Sequence, residues 1–418
     1  MKKIMFKSIL IPLSIVLLTG CAFNGSVKGG YHSGTTPGGD GGIAKDSDFE
    51  FATDGESEGE GEGEDTSDSQ ESKIPAGQLT CSALDDNHYY DFWKEITDRG
   101  QEEGAFYEFK KQFGDDFNTF NRVKLTITNG NDVYVKLKED NTTFHVDNFH
   151  NAYLFASEQK ELYDVEISYK DNNGDRVSFE TTVKDNDEID LENTFALSSN
   201  LEIMFVIDAT GSMGDEMKYI QAEIDDVIGK VKNDNPSSTI SLAMMVYRDI
   251  GDDYVTRYSD FTQDITSQQN FLKQQSANGG GDFEEAVDVA LTEAVNKQWS
   301  SNSTKLLFHV ADAPAHDYDV DTWAKAAKEA ANKGIKIFTI AASGIDRKTE
   351  FFFRSQSLLT AGQYVFLTDD SGIGLPHEEP TIQEKLVVEF LNDCLIRLIN
   401  GYHQGVMKDP IPYNQTQQ

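Results

Sequence analysis

Residues 201–213 read LEIMFVIDATGSM, and the fold follows from them. An apolar run from Leu201 to Ile207 ends in Asp208, with Thr210, Gly211 and Ser212 close behind. A run of that kind predicts a parallel strand buried on both faces, with polar groups projecting from its carboxyl end. Asp208, Thr210 and Ser212 occupy alternate positions of one tight loop, a spacing that turns three oxygens toward one point. A mixed carboxylate and hydroxyl set suits a hard cation: Mg²⁺ first, with Mn²⁺ or Ca²⁺ as alternatives, rather than zinc or copper.

Downstream, strand and helix patterns alternate. Residues 216–232 carry helical periodicity, 240–247 read as a strand, and 254–258 as a short edge strand. Helices are expected over 271–275, 283–297, 322–332, 348–359 and 384–399, and strands over 305–311, 335–342 and 364–367. That order predicts an α/β domain over residues 196–402, doubly wound around a mostly parallel sheet, with a tail at 403–418. Ligands of such sheets bind beyond the carboxyl ends of the strands.

Upstream, residues 75–195 predict a different domain. Leu79, Leu84, Tyr89, Phe92, Trp93 and Ile96 suggest a helical segment with an aromatic stripe, read as core. From Asn121 to Leu191 the period changes to two. Hairpin turns are expected at Asn129-Gly130-Asn131-Asp132 and at Asn172-Asn173-Gly174-Asp175, which predicts a small antiparallel β-sandwich. Residues 22–74, with SEGEGEGED at their centre, bury too little apolar surface to fold and read as an acidic stalk. Residues 1–21 have the form of a secretory signal: Lys2, Lys3 and Lys7, an apolar core from Ile9 to Leu18, then Leu18-Thr19-Gly20-Cys21. That ending resembles the bacterial lipobox, which implies a diacylated Cys21 and a lipid-anchored chain on the extracytoplasmic face of the cell membrane. Two acyl chains suffice for stable anchoring where one does not.

The chain of 418 residues carries 72 acidic and 36 basic residues, a net charge of −36. The acidity is not confined to the stalk, because residues 74–418 keep 59 acids against 30 basic residues. Nucleic-acid binding needs a basic footprint, so nucleic acid is excluded as a partner class, and cations are favoured. Cys81 and Cys394 are either a disulfide pair or free thiols. The apolar helical setting of Cys394 favours the free thiol.

Asp208-Ala209-Thr210-Gly211-Ser212 is similar to the Asp-x-Ser/Thr-x-Ser motif of von Willebrand factor type A domains, and Asp312-Ala313-Pro314 to the aspartate that ends a later strand in that family. The resemblance implies that Asp312 faces Asp208, that Thr210 and Ser212 are direct ligands of a metal-ion-dependent adhesion site, and that a protein partner's carboxylate fills an open coordination position. Where the family has a threonine, this chain has Gly279-Gly280-Gly281-Asp282, so Asp282 is either a further metal-site carboxylate or the N-cap of its helix, with Glu285 closing a capping box. VYRDIGDDYVT, GGGDFEEAVD, ADAPAH and FLTDDSGIGLPHEEPTI resemble a group of bacterial surface proteins built on the DATGSM variant.

His316 reads as a solvated loop histidine, the alternatives being a neighbour of the metal ligands or a proton carrier, and His377 reads as a surface group. Arg248 either shapes the upper face of the sheet with Asp249 or, as the blander option, pairs with a nearby acid, and Asp369 and Asp370 read as turn formers rather than as a second ion site. No Gly-x-Ser-x-Gly or His-Glu-x-x-His pattern is present, so a binding or adhesion protein is expected rather than an enzyme. The alternatives are a structural surface protein with a metal-stiffened domain and a metal-dependent hydrolase.

Overall fold

The computed structural model describes residues 74–100 and 106–415. Cys21, the signal segment and residues 22–73 of the acidic stalk lie outside them. In chain order, β1 (Thr80–Leu84), α1 (Tyr90–Asp98) and α2 (Tyr107–Phe117) lead into seven strands. These are β2 (Arg122–Thr128), β3 (Asn131–Leu137), β4 (Thr143–His145), β5 (Asn151–Phe155), β6 (Tyr163–Lys170), β7 (Arg176–Val183) and β8 (Asp187–Asp190). The alternating half follows: β9 (Asn200–Asp208), α3 (Met217–Asp234), β10 (Thr239–Tyr247), β11 (Thr256–Thr262), α4 (Ile265–Lys273), α5 (Val287–Val295) and β12 (Thr304–Ala311). It continues with α6 (Val320–Lys333), β13 (Ile335–Ala341), α7 (Arg347–Leu359), β14 (Tyr364–Leu367), β15 (Glu389–Phe390) and α8 (Leu391–Gln404).

The main sheet has the order β11-β10-β9-β12-β13-β14-β1-β15. From β10 to β14 neighbouring strands pair in parallel, while β11 pairs antiparallel with β10, and β1 antiparallel with both β14 and β15. Side chains of β9 alternate between two apolar layers. Ile203, Phe205 and Ile207 pack with Ile220 and Ile224 of α3 and Leu395 and Leu398 of α8. Met204 and Val206 join the layer of Leu291 on α5, Trp323 on α6 and Phe353 on α7. Burial on both faces explains the unbroken apolar run, and the two helix layers make the sheet doubly wound.

The first strand of this sheet corrects the expected helical reading of residues 79–96. Thr80–Leu84 is β1, and helix begins only at Tyr90. What holds β1 is non-local. Buried Glu223 on α3 accepts backbone N–H bonds from Gly77 (2.8 Å), Gln78 (2.8 Å) and Leu79 (3.1 Å). Just beyond, buried Asp86 receives two hydrogen bonds from Arg354 of α7, at 2.9 and 2.6 Å. The aromatic stripe is core as expected: Trp93 is fully buried and stacks on Phe351 of α7.

Strands β2 to β8 form two small sheets, of order β5-β2-β8 and β4-β3-β6-β7. The second expected hairpin forms, with β6 and β7 paired antiparallel up to Lys170 opposite Arg176. The first does not. Asn129 and Asp132 take positive φ (55° and 51°), and the chain passes from one sheet to the other instead of folding back on itself. The pairing is not wholly antiparallel either, because β2 and β8 run in parallel. Alternate residues such as Val123, Leu125, Val135 and Val165 enter the apolar layer that also holds Trp323 and Phe352. Among the described residues no helix is long and apolar enough to cross a membrane.

Candidate metal centre

Asp208 is the last residue of β9, and Asp312 follows directly on β12, the neighbouring parallel strand. Their register runs to Ile207 opposite Val310, so both carboxylates leave adjacent strand tips at the same end of the sheet. Both are buried, at 0% and 3% exposure. Thr210 is buried and locked to Asp208: its backbone N–H (2.9 Å) and its hydroxyl (2.7 Å) both donate to Asp208 Oδ1. Thr210 Oγ1 lies 3.2 Å from Ser212 Oγ, and Ser212 is exposed at the start of a single 3₁₀ turn. Asp208, Thr210, Ser212 and Asp312 are therefore brought together.

The outer oxygens decide what this arrangement can hold. Asp208 Oδ2 and Asp312 Oδ1 are buried and have no hydrogen-bond partner among the described residues. Burial, and then the charge of Asp312, push the Asp208 carboxyl up, while the two bonds from Thr210 and the nearby Tyr247 hydroxyl, which lies outside hydrogen-bonding geometry to Oδ2, oppose the shift. Asp312 is raised by burial, with Glu216 and Asp215 adding to it, and the Ser212 hydroxyl beside it pulls the other way. Unpaired buried carboxylate oxygens are costly unless a proton or a cation satisfies them. Two such oxygens with two hydroxyls fit a small divalent ion.

A third buried acid belongs to this region, and its role was missed in the sequence. Glu285 is 3% exposed, and its Oε2 has no hydrogen-bond partner among the described residues. Burial and the charges of Asp208, Asp249, Asp312 and Asp252 push its carboxyl up to about 9. The expected capping box does not form. Helix α5 starts at Val287 with Ala286 at the N-cap position, and the Glu285 N–H donates to Pro314 O at 2.9 Å. Asp282 is exposed and turned elsewhere: its Oδ2 lies 3.6 Å from His316 Nε2. Asp249, Asp282 and His316 offer ligand atoms within 4.8 Å of one another.

The glycines before Asp282 seat this loop against the Asp208 turn. Gly211 N–H donates to Gly279 O (3.1 Å), and Gly280 N–H donates to Asp252 Oδ2 (2.9 Å). Gly280 has φ +75°, a left-handed conformation that favours glycine, and a Cβ there would fall 2.8 Å from Glu285 Oε1 and displace that carboxylate.

Three further expectations are corrected. Among the described residues Arg248 pairs with no acid; it donates to Ala209 O (3.0 Å) and Ser276 O (2.9 Å), tying the Asp208 loop to the chain after α4. His316 is not a solvated group, since its side chain is 15% exposed and stacks on Tyr318. The side chain of His377 is 5% exposed rather than superficial. It bridges Glu216 Oε1 (3.0 Å) and Asp369 Oδ1 (2.8 Å), pinning the segment after β14 onto the start of α3. The two remaining cysteines, Cys81 and Cys394, are free and buried.

A von Willebrand factor A domain is detected over residues 202–373. The alpha-protein kinase vwkA of Dictyostelium discoideum is 26% identical over 189 residues, 44% of this chain and 30% of that protein. A putative ariadne-like RING finger protein, R811, of Acanthamoeba polyphaga mimivirus is 29% identical over 116 residues, 28% of this chain and 11% of that protein. The chain thus spans less than a third of the length of either curated relative. Similar solved structures include the conserved hypothetical protein BatB from Bacteroides thetaiotaomicron, at 15% identity and a TM-score of 0.32, covering 43% of this chain and 91% of that one. The open conformation of the pilus adhesin SpaC from Lactobacillus rhamnosus GG is 12% identical with a TM-score of 0.34, covering 66% of this chain and 34% of that one.

Proposed function

We propose that this chain is a binding protein, not an enzyme, and that its A domain engages a protein partner through a divalent cation. Asp208, Thr210, Ser212 and Asp312 would hold the ion, Mg²⁺ by preference. A bound ion would supply a concentrated positive charge that attracts a partner's carboxylate. The chain's own contribution is to fix the ligands: Thr210 orients Asp208, and Arg248 holds the loop between them. The observation that carries this reading is the pair of buried, partnerless oxygens on Asp208 and Asp312 at neighbouring strand tips. Asp282 sits with His316 and Asp249 and is assigned to the rim. Diacylation at Cys21 would hold the chain on the extracytoplasmic face of the cell membrane.

The test is capture of surface proteins on the immobilised full chain, in Mg²⁺ and in chelator, with Asp208→Ala in parallel. Retention that requires Mg²⁺ and disappears in the variant supports the reading. Equal retention under all conditions contradicts it.

A further inference from the structure

Three loops beside the Asp208 turn carry a second set of metal-ligating groups. Asp249 follows β10, Asp282 ends the glycine loop before α5, and His316 follows β12. One ligand atom from each lies within 4.8 Å of the other two. Asp282 Oδ2 and His316 Nε2 are 3.6 Å apart. Zinc held at about 2.1 Å by a nitrogen and an oxygen keeps tetrahedral neighbours about 3.4 Å apart. The two donors therefore already stand at nearly the separation that an ion between them requires.

Pairing within the trio does not satisfy it. A protonated His316 would reach Asp282 only across 3.6 Å, beyond ordinary hydrogen-bond length. Asp249 Oδ1 is shielded from solvent and has no hydrogen-bond partner among the described residues. Glu285, three residues after Asp282, is buried with a partnerless Oε2, and its N–H is bonded to Pro314 O, two residues before His316. An orphaned carboxylate oxygen away from water calls for a cation or a proton.

Ties from outside the trio hold the three loops in register. Asp252 Oδ2 accepts the N–H groups of Asp249 (3.2 Å) and Gly280 (2.9 Å), fastening the loop after β10 to the glycine loop. Lys348 of α7 donates to Glu284 (2.9 Å) and Asp317 (3.1 Å), and so joins the glycine loop to the loop after β12. The His316 ring stacks on Tyr318. Supports of this kind orient ligands before an ion arrives. The donor set also differs from that of Asp208, Thr210, Ser212 and Asp312, which is all oxygen. One imidazole with two carboxylates suits zinc better than magnesium. Two carboxylates neutralise a divalent ion, and the exposure of Asp282 leaves a fourth position open to solvent.

We propose that Asp249, Asp282 and His316 form a second cation site, selective for Zn²⁺ over Mg²⁺, with His316 Nε2 as its nitrogen ligand. The ion fastens three loops that border the first site. The second site does not depend on the first, so Zn²⁺ binding persists in Asp208→Ala.

The test is a calorimetric titration of the full chain with Zn²⁺, in detergent and in an excess of Mg²⁺ that occupies the all-oxygen site. One Zn²⁺ per chain is expected in the wild type and in Asp208→Ala. His316→Ala and Asp249→Asn are each expected to weaken it at least about tenfold. Co²⁺ in place of Zn²⁺ should give a visible absorption band that Zn²⁺ displaces and that His316→Ala lacks. No saturable Zn²⁺ binding below about 0.1 mM overturns the proposal. Undiminished binding by either folded variant points to an adventitious ion only and also overturns it. Loss of Zn²⁺ in Asp208→Ala does the same, by placing the ion at the first site. Should His316→Ala fail to fold, Asp249→Asn and the wild-type titration decide.

Discussion

Replacing Glu285 by glutamine is expected to stabilise the cation-free chain. The side chain is buried among Asp208, Asp249, Asp252 and Asp312, and its carboxyl is raised from 4.5 to about 9. At neutral pH the folded chain therefore holds a proton that the unfolded chain has released. The sign follows from linkage: a carboxyl raised on folding favours the native state as pH falls and penalises it as pH rises above 4.5. The gap between 4.5 and neutrality amounts to about 3 kcal/mol, and screening by water near the loop reduces it to about 1–3 kcal/mol. Glutamine keeps the shape and removes the titration. Urea unfolding in chelator should show Glu285→Gln more stable than wild type by that amount near neutral pH. The advantage should shrink to under about 1 kcal/mol near pH 5. A variant that is less stable at neutral pH, or an advantage that does not grow with pH, would refute the crowded-carboxylate account.

Arg354→Met leaves Asp86 buried without a guanidinium and Glu350 with Arg347 alone, and should destabilise the chain by about 3–5 kcal/mol in chemical denaturation. Burial lowers the His377 imidazole, but its hydrogen bonds to Glu216 and Asp369 outweigh that and raise it above its usual value. Its bridge should therefore be intact below about pH 6.5 and weaken as pH rises past the raised value, seen as faster amide exchange over residues 372–382 after correction for the intrinsic rate. His377→Phe should abolish that pH dependence. Burial, and then the neighbouring Cys394 thiol, raise the Cys81 thiol well above its ordinary value. Diamide should join the two in a disulfide visible as a non-reducing mobility shift, absent in Cys81→Ser, and raise stability by typically about 2–4 kcal/mol.

The parts of this molecule that could be read from sequence are those whose signal is local. The two-sided burial of β9 shows in residues 201–207 themselves, and the polar tip at Asp208 ends the run. Asp312 ends the apolar run of β12, but that it faces Asp208 came from the resemblance to von Willebrand factor type A domains, since sequence alone does not say which strands are neighbours. The missed features depend on distant residues. Five residues of β1 have no strand signal of their own and are fixed by Glu223, more than 140 positions away. Glu285 looked like half of a capping box, but the glycine loop and Pro314 delay the helix and leave its carboxylate among Asp208, Asp249, Asp252 and Asp312. His377, flanked by acids, looked superficial until Glu216 came from 161 positions away to meet it. The first hairpin failed for a related reason: its turn residues fit a reversal, yet positive φ at Asn129 and Asp132 also serves a change of sheet.

The most direct measurement of the cation site is calorimetric titration of the full chain with Mg²⁺, beside Asp208→Ala and Asp312→Ala. The arrangement of partnerless oxygens predicts one saturable site in the wild type that neither variant retains, while both variants keep the far-ultraviolet circular dichroism of the folded sheet. Undiminished Mg²⁺ binding by either variant would contradict it.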